Sequence, residues 1–121
     1  MRIGMITGEY PPMEGGVGDF TRQLSLALSD RGNEVHILTT RLATAPAGTS
    51  QEDGLVVHRE ITRWGLQSLQ EIDRWAESVA CDVINLQYQA AAFGMKGWIN
   101  FLPHRLKMTG APLVVTYHDL L

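Results

Sequence analysis

Five short apolar runs, separated by stretches whose apolar residues recur every three or four positions, leave few folds open to this chain. The runs are Arg2–Thr7, Glu34–Thr40 (EVHILTT), Leu55–Glu60 (LVVHRE), Asp82–Gln87 (DVINLQ) and Pro112–Tyr117 (PLVVTY). Each reads as a strand, and the last is almost wholly apolar, as expected of a strand buried on both faces. Between the first two, Phe20, Leu24, Ala27 and Leu28 fall at helical spacing, with Asp19 placed to cap the helix and Gly32 to end it in a left-handed turn. Leu69, Ile72, Trp75, Ala76 and Val79 mark the inner face of a second helix, and Trp98, Ile99, Leu102 and Leu106 a third, which Pro103 kinks or interrupts. Ala43–Gly54, rich in Ala, Thr, Gly, Pro and Ser, has no period and is expected to be a mobile loop. The order βαββαβαβ predicts an α/β fold: a doubly wound parallel sheet of strand order 3-2-1-4-5 with right-handed crossovers.

The 121 residues allow one domain, and 45% apolar residues is enough to bury a core and to exclude global disorder. A net charge of -3 supplies no positive field to gather polyphosphate, so a nucleic-acid partner is not expected. Cys81 is the only cysteine and can form neither an internal disulfide nor a CxxC site, which fits a reducing, cytoplasmic location. The start MRIGMITGEYPP is too broken for a signal-peptide core. The longest apolar stretch, Ala90–Leu102, is interrupted by Lys96 and Asn100 and is shorter than the ~20 residues of a membrane span. Only four residues follow Tyr117, where a helix would be expected, so the chain reads as the incomplete front of a longer protein.

In an open parallel sheet, ligands bind beyond the carboxyl ends of the strands where the winding reverses. Gly8–Gly18, Gln87–Gln89, and His118 with Asp119 should meet there. Gly15, Gly16 and Gly18 let backbone approach a ligand and open a helix whose N–H groups favour an anion; a β-branched residue at 16 would block that approach and resist a positive φ. The spacing is neither a dinucleotide fingerprint nor a Walker A loop, and a simple helix-capping turn explains it as well. Glu9, Glu14 and Asp19 suit sugar hydroxyls better than dense phosphate. His118 can exchange hydrogen bonds with a hydroxyl near neutral pH, or simply bond local backbone. Gln87, Tyr88 and Gln89 offer amide and phenol groups, and Asp119 a carboxylate or a turn. Arg59, Arg63 and Trp64 flank the end of the third strand, within reach of an acceptor or in a solvated loop. His36, His58, His104 and His118 lack metal-ligand spacing, so no metal site is expected. Trp98, Phe101, His104, Arg105 and Lys107 would suit peripheral contact with a membrane surface, or an ordinary helix with a basic end.

MRIGMITGEYPPMEGGVGDFTRQLSLALSDRGNEVHILTT, CDVINLQYQ and GAPLVVTYHDLL, in that order, resemble the N-terminal domain of GT-B fold glycosyltransferases, in particular retaining family 4 (glycosyl transferase group 1). The resemblance implies a Rossmann-like, acceptor-side domain over residues 1–121, with the donor-binding domain C-terminal to it and outside this sequence. It implies transfer of a sugar from a nucleotide diphosphate sugar, as co-substrate and without a cofactor, to a hydroxyl of a sugar or lipid-linked acceptor, the anomeric configuration being retained. Gly15, Gly16 and Gly18 match the glycine loop that approaches donor phosphates and acceptor. His118 matches the histidine that contacts the transferred sugar and supports catalysis, and Gln87 stands where many members carry histidine or another polar residue. A fragment lacking most of the donor site is expected to be inactive alone and to self-associate through its fifth strand. A nucleotide-sugar isomerase or epimerase of the same fold, and a non-catalytic α/β binding module, are the alternatives.

Overall fold

The structure, a computed structural model, describes residues 1–45, 47–89 and 110–118. Along them run β1 (Arg2–Thr7), α1 (Gly16–Asp30), β2 (Glu34–Thr40), β3 (Gly48–Glu52), β4 (Leu55–Ile61), α2 (Leu66–Val79), β5 (Val83–Tyr88) and β6 (Leu113–Tyr117). They form one six-stranded sheet of order β3-β4-β2-β1-β5-β6. The five expected strands lie parallel in the expected order, and the fold is Rossmann-like. The third expected helix and the proposed membrane-facing residues fall outside the described residues.

The sheet is mixed, not wholly parallel, because part of the expected loop Ala43–Gly54 is a strand. β3 pairs antiparallel with β4 from Gly48↔Arg59 to Glu52↔Leu55. The hairpin closes through Asp53 and Gly54, both at positive φ (55° and 81°), the combination a two-residue type I′ turn requires.

Two apolar layers sandwich the sheet. On one side Ile3, Met5, Val35, Ile37, Leu55 and Val57 pack with Tyr10 and the partly buried Leu24 and Leu28 of α1. On the other, Ile6, Leu38, Ile84 and Leu86 meet Leu69, Ile72, Trp75, Ala76 and Val79 of α2, the inner face the periodicity predicts. Gly4 leaves room for that layer: a Cβ there would lie 2.8 Å from both Cys81 Sγ and Trp75 Cη2.

Helix α1 departs from expectation at its start and in its facing. Its N-cap is Gly15, and Asp19 sits in the first turn. Its buried residues are Val17, Gly18, Thr21 and Ser25, while Phe20 and Ala27 face out. The reason is close packing. A Cβ on Gly18 would stand 3.1 Å from Tyr10 Cα and 3.2 Å from the Glu9 carbonyl carbon, so only a small-residue stripe fits against that backbone. The C-terminus behaves as read, with Gly32 at φ 91° and its N–H bonded to the Ser29 carbonyl at 2.9 Å.

Strand β6 is not buried on both faces. It is the terminal strand of the sheet among the described residues, and Val114 and Tyr117 are 51% and 57% exposed.

Candidate active site

Strand parity decides which polar side chains meet. Residues alternate faces along a strand, and register aligns neighbours on one face. Thr7 of β1 is paired with Gln87 of β5, and Gln87 with Thr116 of β6, so these three share the α1 face at the carboxyl ends of the strands. His118 follows two residues beyond Thr116, held in line by its backbone N–H donating to the Tyr88 carbonyl at 3.0 Å.

A chain of hydrogen bonds fixes the imidazole. Asn85 Nδ2 donates to Thr116 Oγ1 at 3.4 Å, Gln87 Nε2 donates to Asn85 Oδ1, and Gln87 Oε1 faces His118 Nε2 at 2.8 Å. An amide oxygen only accepts, so with the amides in this orientation His118 carries its proton on Nε2. Nδ1 is then the basic nitrogen, and among the described residues no side chain is hydrogen-bonded to it. Gln87 is fully buried, so it reaches ligand through His118 and not directly.

Phe20 closes the other side. The α1 facing that expels it from the core sets its ring against His118, edge to face, with centroids 5.2 Å apart and planes at 73°. It is 47% exposed. This contact brings the glycine-led start of α1 beside the ends of β5 and β6. Phe20 was expected in the core; the clue to its outward position is the small-residue stripe Gly18, Thr21, Ser25, which also recurs at helical spacing.

The glycines differ in role. Gly15 is extended (φ 160°) and lies under the Glu9 carboxylate, whose Oε2 an added Cβ would meet at 1.7 Å. Gly18 is demanded by packing. Gly16 has no positive φ, contrary to expectation, and a Cβ on it would meet nothing within 4 Å. Of the three, Gly16 alone has open space where a Cβ would stand.

Other candidates lie elsewhere. Tyr88 points to the α2 face, its ring 5.5 Å from that of Tyr117. Arg59 is buried against Glu52, and Trp64 donates Nε1–H to Thr40 Oγ1 at 2.8 Å, so neither faces an acceptor, while Arg63 is exposed. Asp119 falls outside the described residues. Among the described residues no group of three or more His, Cys, Asp or Glu is placed to hold a metal, and no helix is long and apolar enough to cross a membrane.

Residues 14–121 match the model of Glycosyltransferase Family 4. The chain belongs to this family. Its fold is shared with part of sucrose-phosphate synthase from Thermosynechococcus elongatus, which it matches with a TM-score of 0.69 and 18% identity, over 98% of this chain and 33% of that one. A second structure of the same enzyme, from a twinned crystal, matches with a TM-score of 0.62 and 17% identity over 98% of this chain and 64% of that one. The chain thus spans about a third to two-thirds of the length of these structures. No curated protein matches it.

Proposed function

We propose that this chain is the acceptor-side, N-terminal domain of a retaining glycosyltransferase that moves a sugar from a nucleotide diphosphate sugar to a hydroxyl of a sugar or lipid-linked acceptor. The supporting observation is the meeting of the α1 start with His118 through Phe20, in a chain of this family. In the reaction the anomeric carbon exchanges its bond to the diphosphate oxygen for one to the acceptor oxygen, and the acceptor's proton leaves with the released nucleotide diphosphate. His118 Nδ1 accepts a hydrogen bond from a hydroxyl of the bound sugar, while Gln87 and Asn85 keep the ring from rotating. Phe20 offers an apolar edge to the carbon-bound face of the same ring. Gly16 leaves space for the reacting groups to approach backbone N–H of the first helical turn, whose positive end favours an oxygen carrying negative charge.

A donor-binding domain C-terminal to this one completes the cleft, the protein works in the cytoplasm, and residues 1–121 alone do not turn over. The test is sugar transfer by the intact enzyme. His118→Ala is expected to lower kcat far more than it raises KM for donor, as for a contact strengthened in the transition state. An unchanged kcat overturns the assignment. Formation of an isomerised nucleotide sugar in place of a glycoside would assign the fold to isomerase chemistry instead.

A further inference from the structure

Arg59 is the largest fully buried side chain of the described residues, 2% exposed within the α1-side layer, and the transfer reading gives it no task. A buried guanidinium is costly unless paired. Glu52, across the β3–β4 hairpin, supplies the pair: Nη1 donates to Oε2, and Nη2 to Oε1 at 3.1 Å. Ser50 adds a hydroxyl donated to Glu52 Oε2 at 2.7 Å. These donors, Arg59 first, hold the Glu52 carboxyl below its usual range.

Neutralisation would be complete at that point, yet Nη2 also donates to the Pro11 carbonyl at 2.7 Å, 48 residues away in sequence. The guanidinium carbon stands 6.0 Å over the centre of the buried Tyr10 ring. Both targets lie in the loop between β1 and the glycines, which no strand pairing holds. Its beginning is tied separately, by Thr40 Oγ1 donating to the Gly8 carbonyl at 2.6 Å and Thr7 Oγ1 to the Glu9 carbonyl at 2.7 Å. The Glu9–Tyr10 backbone that follows packs against Gly18, which seats α1 and so sets where Gly16 and Phe20 stand relative to His118.

We propose that Arg59, clamped by Glu52, is a positioning residue that fixes the Tyr10–Pro11 backbone and through it the α1 edge of the crevice. The proposal rests on the reading of that crevice as the site of transfer. It also gives β3 a function: the short hairpin carries the carboxylate that aims the guanidinium at the loop.

Arg59→Lys is the informative substitution, because an ammonium keeps the charge beside Glu52 and gives up the planar fork that reaches Pro11 at the same time. Arg59→Met removes both contacts. Hydrogen exchange read amide by amide on this chain should show the Glu9–Val17 amides of Arg59→Lys opening roughly tenfold or more faster, with β1 and β2 amides nearly unchanged. Wild-type exchange in the loop, or equal acceleration everywhere, would overturn the proposal. In the intact enzyme Arg59→Lys should lower kcat/KM for transfer roughly tenfold, and Arg59→Met more. If Arg59 variants loosen the loop and transfer at the wild-type rate while His118→Ala does not, the positioning role fails and the transfer reading stands. If neither Arg59 nor His118 substitutions affect transfer, the reading of the crevice fails with it.

Discussion

Gly16 and Gly18 stand two residues apart in the first turn of one helix, and the structure assigns them opposite reasons for being glycine. Alanine at 18 would place Cβ 3.1–3.2 Å from Tyr10 and Glu9 backbone atoms, which cannot swing aside as a side chain can. Such overpacking costs ~1–3 kcal/mol, against ~1 kcal/mol gained from better helix propensity, so Gly18→Ala should lose up to about 2 kcal/mol. Alanine at 16 meets nothing within 4 Å, and its reduced unfolded-state entropy should leave stability unchanged or raised by up to ~1 kcal/mol. For a domain of this size each kcal/mol moves Tm by roughly 3–5 °C. Thermal and urea unfolding should therefore rank Gly16→Ala at or above wild type and Gly18→Ala several degrees below. Transfer by the intact enzyme should reverse part of that order, with Gly16→Ala impaired and Gly16→Val nearly inactive although both fold. If Gly16→Val keeps full transfer, ligand does not approach the helix start. If Gly16→Ala unfolds as readily as Gly18→Ala, the packing argument is wrong.

Gln87→Met should reduce kcat in the same direction as His118→Ala but less, since it frees the imidazole to rotate without removing it; equal KM and kcat to wild type would show that the ring needs no second partner. Burial lowers the pKa of His58 from 6.5, opposed by the Glu60 charge and aided by His36, whose Nδ1 lies 2.9 Å from His58 Nε2. The fold thus favours neutral His58, so stability should be full above pH 6.5 and fall as pH drops through 6.5 toward the lower folded value. Urea midpoints between pH 8 and pH 5 check this, and a His58→Asn variant with the same slope would remove the cause. Cys81 has its thiol pushed up to about 11, mainly by burial, so alkylation near neutral pH should be slow until the chain unfolds. Fast labelling of folded protein would refute that. Self-association through β6, whose Val114 and Tyr117 are exposed, should appear as a concentration-dependent sedimentation coefficient, and a monomer throughout the micromolar range would exclude it.

The parallel core of the fold was legible because its signal is redundant: each of five strands is a dense apolar run, and α2 carries five buried apolar positions at helical spacing. β3 was not, since Gly48–Glu52 reads GTSQE and contains no apolar residue. Its stability comes from outside the segment, in backbone pairing with β4 and the Glu52–Arg59 bond. The one local clue is Asp53-Gly54 directly before LVVHRE, a dipeptide suited to a tight hairpin. The facing of α1 failed for a related reason. Large apolar residues outweigh small ones in any count of periodicity, yet a helix pressed against loop backbone buries Gly18, Thr21 and Ser25 and turns Phe20 outward.

Gln87, Tyr88 and His118 looked like one group because sequence reasoning places whole segments at the end of a sheet, not faces. A strand has period two, so adjacent Gln87 and Tyr88 must diverge, and which one faces α1 depends on register across β1, β5 and β6. Register is a long-range property, fixed here by pairings such as Thr7↔Gln87 that no local motif encodes. Once it is known, parity sorts the polar residues without further assumption: Asn85, Gln87, Thr116 and His118 fall on one face and bond in series, while Tyr88 and Tyr117 meet edge to face on the other. The same parity explains why a neutral amide, and not a carboxylate, can orient His118. Gln87 is buried beside Thr7, where an acid would need a cation, and Arg59, the buried guanidinium of this layer, is committed to Glu52 and Pro11. A histidine so held keeps its ring direction, which in the proposed transfer leaves Nδ1 available for the hydrogen bond of a sugar hydroxyl.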